Sequence, residues 1–381
     1  MGSQDRHPLS PRLDHCPEGL PRAAYMDADW YAREMATIFA RQWVMVGRAS
    51  DFAQGKMRRV AVGEAQVIVV RDANGALAAY FNSCPHRGSE LCRDAEEPVG
   101  KLIRCPYHAF AFAAADGRLV STAHAVPTGD FDKSAHGLRP VSTRVWNGFL
   151  FLNLSTDPGE IWSDVGLNTL DNWPMDTLVM GHHWEHDIEC NWKAFWENYS
   201  ECLHCPSVHP ELCDLVPIYA KGIMAPNEAL GWVPDGSAPA SNLREGAVTW
   251  SMDGKACGPT FSGLSEAEQK VGFGFATLWP STYIVAHLDY VRATRVVPMG
   301  PERTRLIAEW YFLPETLAQP GFDAEAVAAF AKIVIVQDGE ASATNQRGMR
   351  SPAFKAARLM PEEYEIHRFH QWVLAEMEAE A

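Results

Sequence analysis

The sequence lacks any apolar run long enough to cross a bilayer; its longest stretches, such as Gln66-Val-Ile-Val-Val70, are strand-sized. The opening Met1-Gly-Ser-Gln-Asp-Arg-His-Pro has none of the apolar core of a secretory signal, so a cytoplasmic protein is expected. Positive charge is scarce: 33 Lys and Arg stand against 48 Asp and Glu, a net charge of −15. That balance argues against nucleic acid or an anionic membrane surface as a partner. No dinucleotide fingerprint is present, since Gly272-Phe-Gly274-Phe-Ala-Thr lacks the final glycine and the strand–helix setting. The nine cysteines do not have the dense spacing of a secreted disulfide scaffold. In a cytosolic enzyme such residues are metal ligands, catalytic thiols or core.

What is present is an ordinary globular composition, 47% apolar and 21% charged over 381 residues, enough for two domains. Residues 1–24 read as an irregular arm. Asp27 is a candidate cap for a helix running to about Gln42, with Tyr31, Met35, Ile38 and Phe39 as its apolar stripe. From 44 to 154 the texture is β: 57–62 and 66–71 alternate or run apolar, and turns fall at 72–75 and at Asp116-Gly117. A buried closing strand follows at 148–153. Residues 155–182 are a polar connection. Beyond it, 184–188, 250–258, 272–295 and 296–312 read as strands, and a helix begins near Asp323.

The β-rich part carries Cys84-Pro-His86-Arg-Gly88 and, beyond eighteen intervening residues, Cys105-Pro-Tyr-His108. Two thiolates and two imidazoles suit zinc, but zinc pairs usually separate Cys-x₂₋₄-Cys from His-x₃₋₅-His. Halves that each mix one Cys with one His suit a [2Fe–2S] cluster in which one iron takes both thiolates and the other both imidazoles. Its potential then rises to roughly −150 to +300 mV. The motif resembles the Rieske family, whose usual spacer is a residue or so shorter, and the segment 94–100 is expected to absorb the difference. Cys92 falls outside the pattern and reads as packing.

The second constellation is Asn191-Trp-Lys-Ala-Phe-Trp-Glu-Asn198-Tyr-Ser-Glu201-Cys-Leu-His204-Cys-Pro206-Ser-Val-His209. Asn191 reads as the cap of a helix that places Glu201 and His204 at i, i+3 and that Pro206 ends or kinks. Three readings compete: core histidines, a zinc site from Cys202, Cys205, His209 and Cys213, or a non-haem Fe(II) site with two histidines and one carboxylate. Geometry alone leaves Glu201 open as that carboxylate.

Glu-Asn-x-x-Glu-x-x-His-x₄-His resembles the mononuclear iron motif of Rieske oxygenase α-subunits, and Glu201, where most members carry Asp, resembles their carnitine, glycine betaine and choline branch. The resemblance implies an α+β fold: an all-β Rieske domain (44–155) and a catalytic domain (156–381) with an antiparallel, helix-grip-like sheet flanked by helices. Residues 1–43 would form an arm and a helix packed on the catalytic domain. It implies iron ligation by His204, His209 and Asp338, with Glu340 as the fallback ligand, because Asp338 precedes Gln346 by eight residues as in the family. Cys84, His86, Cys105 and His108 would hold the cluster. Glu201 would bridge the iron site to His108 of an adjacent subunit in a homotrimer, since the two centres of one chain are expected to lie too far apart for fast transfer. Asn198 would support the iron site, and Cys202 and Cys205 would be bystanders.

The implied activity is that of a terminal oxygenase using O2 and electrons from a separate NAD(P)H-dependent reductase. The branch points to oxidative N-demethylation or hydroxylation of a quaternary ammonium compound, with Trp250, Trp279 and Tyr283 as a cation–π face. Hydroxylation or O-demethylation of an aromatic compound is the alternative. A Rieske electron carrier or redox sensor, with no second metal, is the reading from another class.

Overall fold

The computed structural model describes residues 7–72, 74–161, 163–164, 166–234 and 243–379; the first six residues of the arm and Ala73 of the 72–75 turn lie outside them. The chain divides into two compact units, residues 35–161 and residues 1–34 with 162–381. Among the described residues no helix is long and apolar enough to cross a membrane.

The N-terminal segment is more ordered than the expected arm. Glu18–Pro21 forms strand β1, paired antiparallel with Ala356–Arg358. Helices α1 (Ala23–Met26) and α2 (Ala28–Glu34) follow. Asp27 caps α2, its Oδ1 accepting from the Asp29 and Trp30 N–H at 2.9 Å. The α-helix stops at Glu34, short of Gln42, and passes into a π-helical turn, Met35–Phe39. Tyr31, Met35, Ile38 and Phe39 are all buried, as the stripe required. Glu34 is buried too, 2.6 Å from Lys193 Nζ and accepting the indole N–H of Trp30 and Trp192. A buried carboxylate persists only with such partners.

Beyond that π-helical turn, residues 35–161 are built mainly of β-strands. The strands are β2 (Val44–Arg48), β3 (Lys56–Val62), β4 (Ala65–Arg71), β5 (Leu77–Phe81), β6 (Glu96–Pro98), β7 (Leu102–Arg104), β8 (Ala111–Ala113), β9 (Leu119–Ser121), β10 (Pro140–Trp146) and β11 (Phe149–Asn153). Seven form an antiparallel sheet ordered β2-β11-β10-β5-β4-β3-β6, and β7-β8-β9 form a second. The segment 94–100 is not a slack loop, because β6 within it pairs with β3. Ile68, Val70, Tyr80, Ile103 and Phe112 share one core with Cys84 and Cys105.

The other unit holds β12 (Val179–Ile188), helices α3 (Trp192–Tyr199), α4 (Cys205–Val208), α5 (Pro210–Leu215) and α6 (Glu266–Val271), then strands β13 (Phe273–Leu278), β14 (Thr282–His287), β15 (Val291–Gly300) and β16 (Arg303–Phe312). It ends with α7 (Pro314–Leu317), α8 (Ala324–Met349), β17 (Ala356–Arg358) and α9 (Tyr364–Glu378). Its five-stranded antiparallel sheet runs β12-β16-β15-β14-β13. Asp323 caps α8, accepting from Glu325 N and Ala326 N. Residues 250–258 form turns and bends rather than a strand; Gly254 sits there at φ +76°, a conformation strands do not use. The architecture is α+β, as expected.

Candidate functional site

Asn191 caps α3 by accepting from Lys193 N at 3.0 Å, but the helix closes at Tyr199 rather than running on to Pro206. The Ser200 hydroxyl turns back to Trp196 O at 2.6 Å, and the Glu201 carboxylate captures the backbone N–H of Leu203 and His204. Side chains that satisfy nearby N–H groups in this way compete with helix propagation. Glu201 and His204 are therefore loop residues, not i, i+3 helix neighbours. Pro206 lies in the first turn of α4, where its missing N–H costs nothing, and starts a helix instead of breaking one. His209 links α4 to α5.

This loop faces the middle of α8. His209 Nε2 is 2.8 Å from Asp338 Oδ1, His204 Nε2 is 3.3 Å from the same oxygen, and the two Nε2 atoms are 3.1 Å apart. An ion about 2.1 Å from three mutually perpendicular ligand atoms separates them by about 3 Å, so the trio fits one face of an octahedral Fe(II) site. The remaining ring nitrogens are both engaged: His204 Nδ1 lies 2.6 Å from Glu201 Oε1, and His209 Nδ1 lies 2.8 Å from Gln337 Oε1. Both acceptors require N–H at Nδ1, which leaves the Nε2 lone pairs free for a metal. Gln337 is itself held by Glu211, at 2.9 Å. Burial pushes the His204 pKa down, but hydrogen bonds to Asp338 and Glu201 outweigh it and bring it up to about 9. Burial likewise opposes ionisation of Asp338, and the two histidines overcome it and hold the carboxyl below its usual range. The cluster is built to take up positive charge.

Glu340, one residue past Gly339, is exposed and points elsewhere. Asn198 lines the adjoining cavity, its Oδ1 buried with no partner among the described residues and no bond to the trio. Cys202 and Cys205 are joined as a disulfide that brackets His204, so they are a staple rather than bystanders and offer no thiolates to zinc. Gln337 and Glu211 carry no signal in the sequence. Gln346 does: its carboxamide accepts from Asn191 N at 2.9 Å and donates to Tyr25 O and Glu302 Oε2 at 3.2 Å, tying α8 to the start of α3.

A cavity of about 570 Å³ opens beside the trio. Its wall includes Tyr219, Trp250, Phe273, Phe275, Trp279 and Tyr283. Two of the three rings expected to face a cation are already occupied, with Arg368 over Trp279 and Arg292 over Tyr283 at 5.8 and 5.6 Å. Trp250 remains, set edge-to-face against Tyr219, Phe273 and Phe275, its buried indole N–H without a partner among the described residues.

In the β unit the two cysteine loops share one hydrogen-bond pattern. Cys84 N donates to Ser89 O and Gly88 N to Cys84 O, each at 2.8 Å; Cys105 N donates to Phe110 O at 2.8 Å and Ala109 N to Cys105 O at 3.0 Å. The fourth residue after each cysteine takes positive φ, Gly88 at +78° and Ala109 at +57°. Backbone N–H groups of His86 and Arg87 point at the Cys84 sulfur, and those of Tyr107 and His108 at Cys105. Cys84 and Cys105 are buried, His86 is exposed and His108 half-buried, their rings 4.7 Å apart. Buried thiolates on one side and imidazoles on the other match the two unlike irons of a Rieske cluster. Cys92 is packed in the core, as expected.

Residues 42–132 match the Rieske [2Fe–2S] domain and residues 175–379 the ring hydroxylating alpha subunit (catalytic domain). The chain belongs to the Rieske oxygenase α-subunits. It is 30% identical to the glycine betaine monooxygenase oxygenase subunit of Chromohalobacter salexigens, over 95% of this chain and 87% of that one. It is 25% identical to the chloroplastic choline monooxygenase of Beta vulgaris, over 93% of this chain and 76% of that one. The crystal structure of the quaternary ammonium Rieske monooxygenase CntA with its substrate L-carnitine superposes with a TM-score of 0.66 at 18% identity, covering 96% of this chain and 97% of that one. As a Rieske oxygenase the chain is an enzyme that carries a [2Fe–2S] cluster and a mononuclear iron and receives its electrons from a reductase.

Proposed function

We propose that this oxygenase oxidises an N-methyl group, or a carbon next to nitrogen, of a quaternary ammonium compound. The observation that carries this reading is the pairing, in one cavity, of the His204–His209–Asp338 trio with the open aromatic group around Trp250. Aromatic faces attract a quaternary ammonium, most strongly where water is excluded. The relatives named for glycine betaine and choline, and the carnitine-bound CntA, support the same substrate class.

We assign the mononuclear iron to His204, His209 and Asp338, and the cluster to Cys84, His86, Cys105 and His108. When bound, the iron would supply O2 activation at open coordination positions. The chain's own part is positional. Glu201 and Gln337 keep both ring N–H groups away from the metal face, and the aromatic wall excludes water and fixes the methyl donor. In net terms one C–H bond of the methyl becomes C–OH, the other oxygen atom leaves as water, and two electrons and two protons are consumed. The resulting N–CH2OH breaks at C–N to give the tertiary amine, formaldehyde and a proton.

Electron arrival is assigned to Glu201. One carboxylate oxygen is bonded to His204 Nδ1, and a homotrimer would let the group reach His108 of the partner subunit as well. The acidic chain would meet a basic face on a separate flavin or iron–sulfur reductase in the cytoplasm. The test is a panel of methylammonium compounds and aromatic acids or ethers, turned over with a surrogate reductase and scored for formaldehyde and hydroxylated products. Formaldehyde from a methylammonium compound is expected. Hydroxylated or O-demethylated aromatics alone would replace this reading with the aromatic one.

A further inference from the structure

The floor of the cavity is one face of the sheet. Register sets Phe275 opposite Val285 and Val285 opposite Arg292, so these three side chains rise on the same side, and all three line the cavity. Arg292 is only 6% exposed, and among the described residues it is the one Lys or Arg that lines that space. Neighbouring arginines of the sheet are matched: Arg295 to Glu309 at 3.3 Å, and Arg305 to Asp187 at 2.6 Å. Arg292 is not. Among the described residues its Nε has no hydrogen-bond partner, and no carboxylate lies within ion-pair distance of its guanidinium. What it has is the face of Tyr283 at 5.6 Å.

A guanidinium stays charged at any ordinary pH, so its burial without an anion is strongly unfavourable unless something else brings one. The cavity places it on the working side. Burial raises the Tyr283 pKa, Arg292 opposes that rise and Asp338 adds to it, so this one phenol lies in the fields of both the arginine and the iron-site carboxylate. A guest whose only charge is positive would add a second unpaired cation to Arg292. A guest with a carboxylate at one end would neutralise it, and its ammonium end could use the aromatic group around Trp250.

We infer that Arg292 binds the carboxylate of a zwitterionic substrate, an ammonium carboxylate such as glycine betaine or carnitine, and so selects against a purely cationic one such as choline. The inference rests on the quaternary ammonium reading above and narrows it. The guanidinium fork holds a carboxylate through two parallel hydrogen bonds, which fixes direction as well as charge.

The test uses the loaded enzyme with its reductase, comparing glycine betaine and carnitine with choline and with the methyl esters of the two zwitterions. Binding is followed separately by tryptophan fluorescence without reductase. Wild type should prefer the zwitterions to their esters and to choline. Arg292→Met should raise KM and the binding constant for the zwitterions at least about thirtyfold while changing choline little, and Arg292→Lys should recover part of that loss. Iron and cluster content check that each variant is loaded; if Arg292→Met does not fold, the zwitterion-against-ester comparison in wild type decides alone. Equal affinity for acid and ester, or a preference for choline, would overturn the role of Arg292 and leave the quaternary ammonium reading standing. Neither binding nor formaldehyde with any methylammonium compound would overturn both.

Discussion

The two metal-binding regions are built in opposite ways. Each cluster loop is a local object: a cysteine, a turn closed by its own backbone, and a histidine two or three residues on. The proposed iron site is a tertiary object, in which Asp338 meets His209 from 129 residues further along the chain. Its shape depends on a staple, a capping carboxylate and a glutamine that ties two helices. A local loop can keep its form when distant packing is disturbed, whereas a tertiary site cannot. The cluster should therefore outlast the iron under most perturbations.

Asp338→Ala breaks the comparison most sharply. It should lower iron from about three to about two per chain, keep the cluster's visible colour and remove product formation by more than about a thousandfold. Glu340→Gln should change neither. Loss of colour in Asp338→Ala would mean that the two sites are not separately built.

Glu34→Ala should destabilise the catalytic unit by about 3–5 kcal/mol, because it strands buried Lys193 without its counter-ion. Denaturation followed by iron release and by cluster absorbance should show the iron lost first. Coincident transitions would show the units unfolding as one.

Acid acts on the same unit. Glu309 is opposed by burial, yet the His183 hydrogen bond, Arg295 and Tyr311 bring its pKa down to about 2. A depressed carboxylate contributes stability that is fully present above its unfolded value, about pH 4.3, and that is lost as pH falls through about 2. Glu309→Gln should remove about 3 kcal/mol of stability at pH 6 and flatten the dependence across that window. An unchanged slope in acid titrations would assign the loss to other carboxylates.

Glu201→Gln should retain both metals but slow cluster reoxidation by O2 and substrate about ten- to hundredfold. Single-turnover absorbance would read this directly, and unchanged decay would remove Glu201 from the electron path. The smallest effect tests the likeness of the two loops. Ala109→Gly relieves a left-handed alanine at the position that Gly88 fills in the other loop, and should be neutral or stabilising by up to about 1 kcal/mol in thermal unfolding.

The same contrast governed what could be read from the sequence. Cys84 to His108 was legible because its ligands, turns and flanking strands are neighbours in the chain. The sheet from 273 to 312 was legible from alternation, but 250–258 was not: Trp250 is buried, yet the backbone turns at Gly254 and leaves Met252 exposed. Glu201 and His204 looked helical because spacing is blind to a carboxylate that takes its own backbone's N–H groups. Asp338 required the family resemblance, since on residue type alone it is one of many acids. Gln337 and Glu211 were out of reach, because what they do is defined only by what folding brings beside them.

Gly339 sits next to Asp338 where α8 crosses β12, and a Cβ there would stand 3.2 Å from His186 Nε2 and 3.3 Å from Ile188 Cγ1. Glycine at this point works as a shim. The width of one methyl group sets how far the helix stands from the strand, and thereby how far the Asp338 carboxylate stands from the two imidazoles. A shift of a few tenths of an ångström would stretch the metal face without altering any ligand. Gly339→Ala should therefore tune which divalent ion fits, through spacing alone and from a residue that touches no metal.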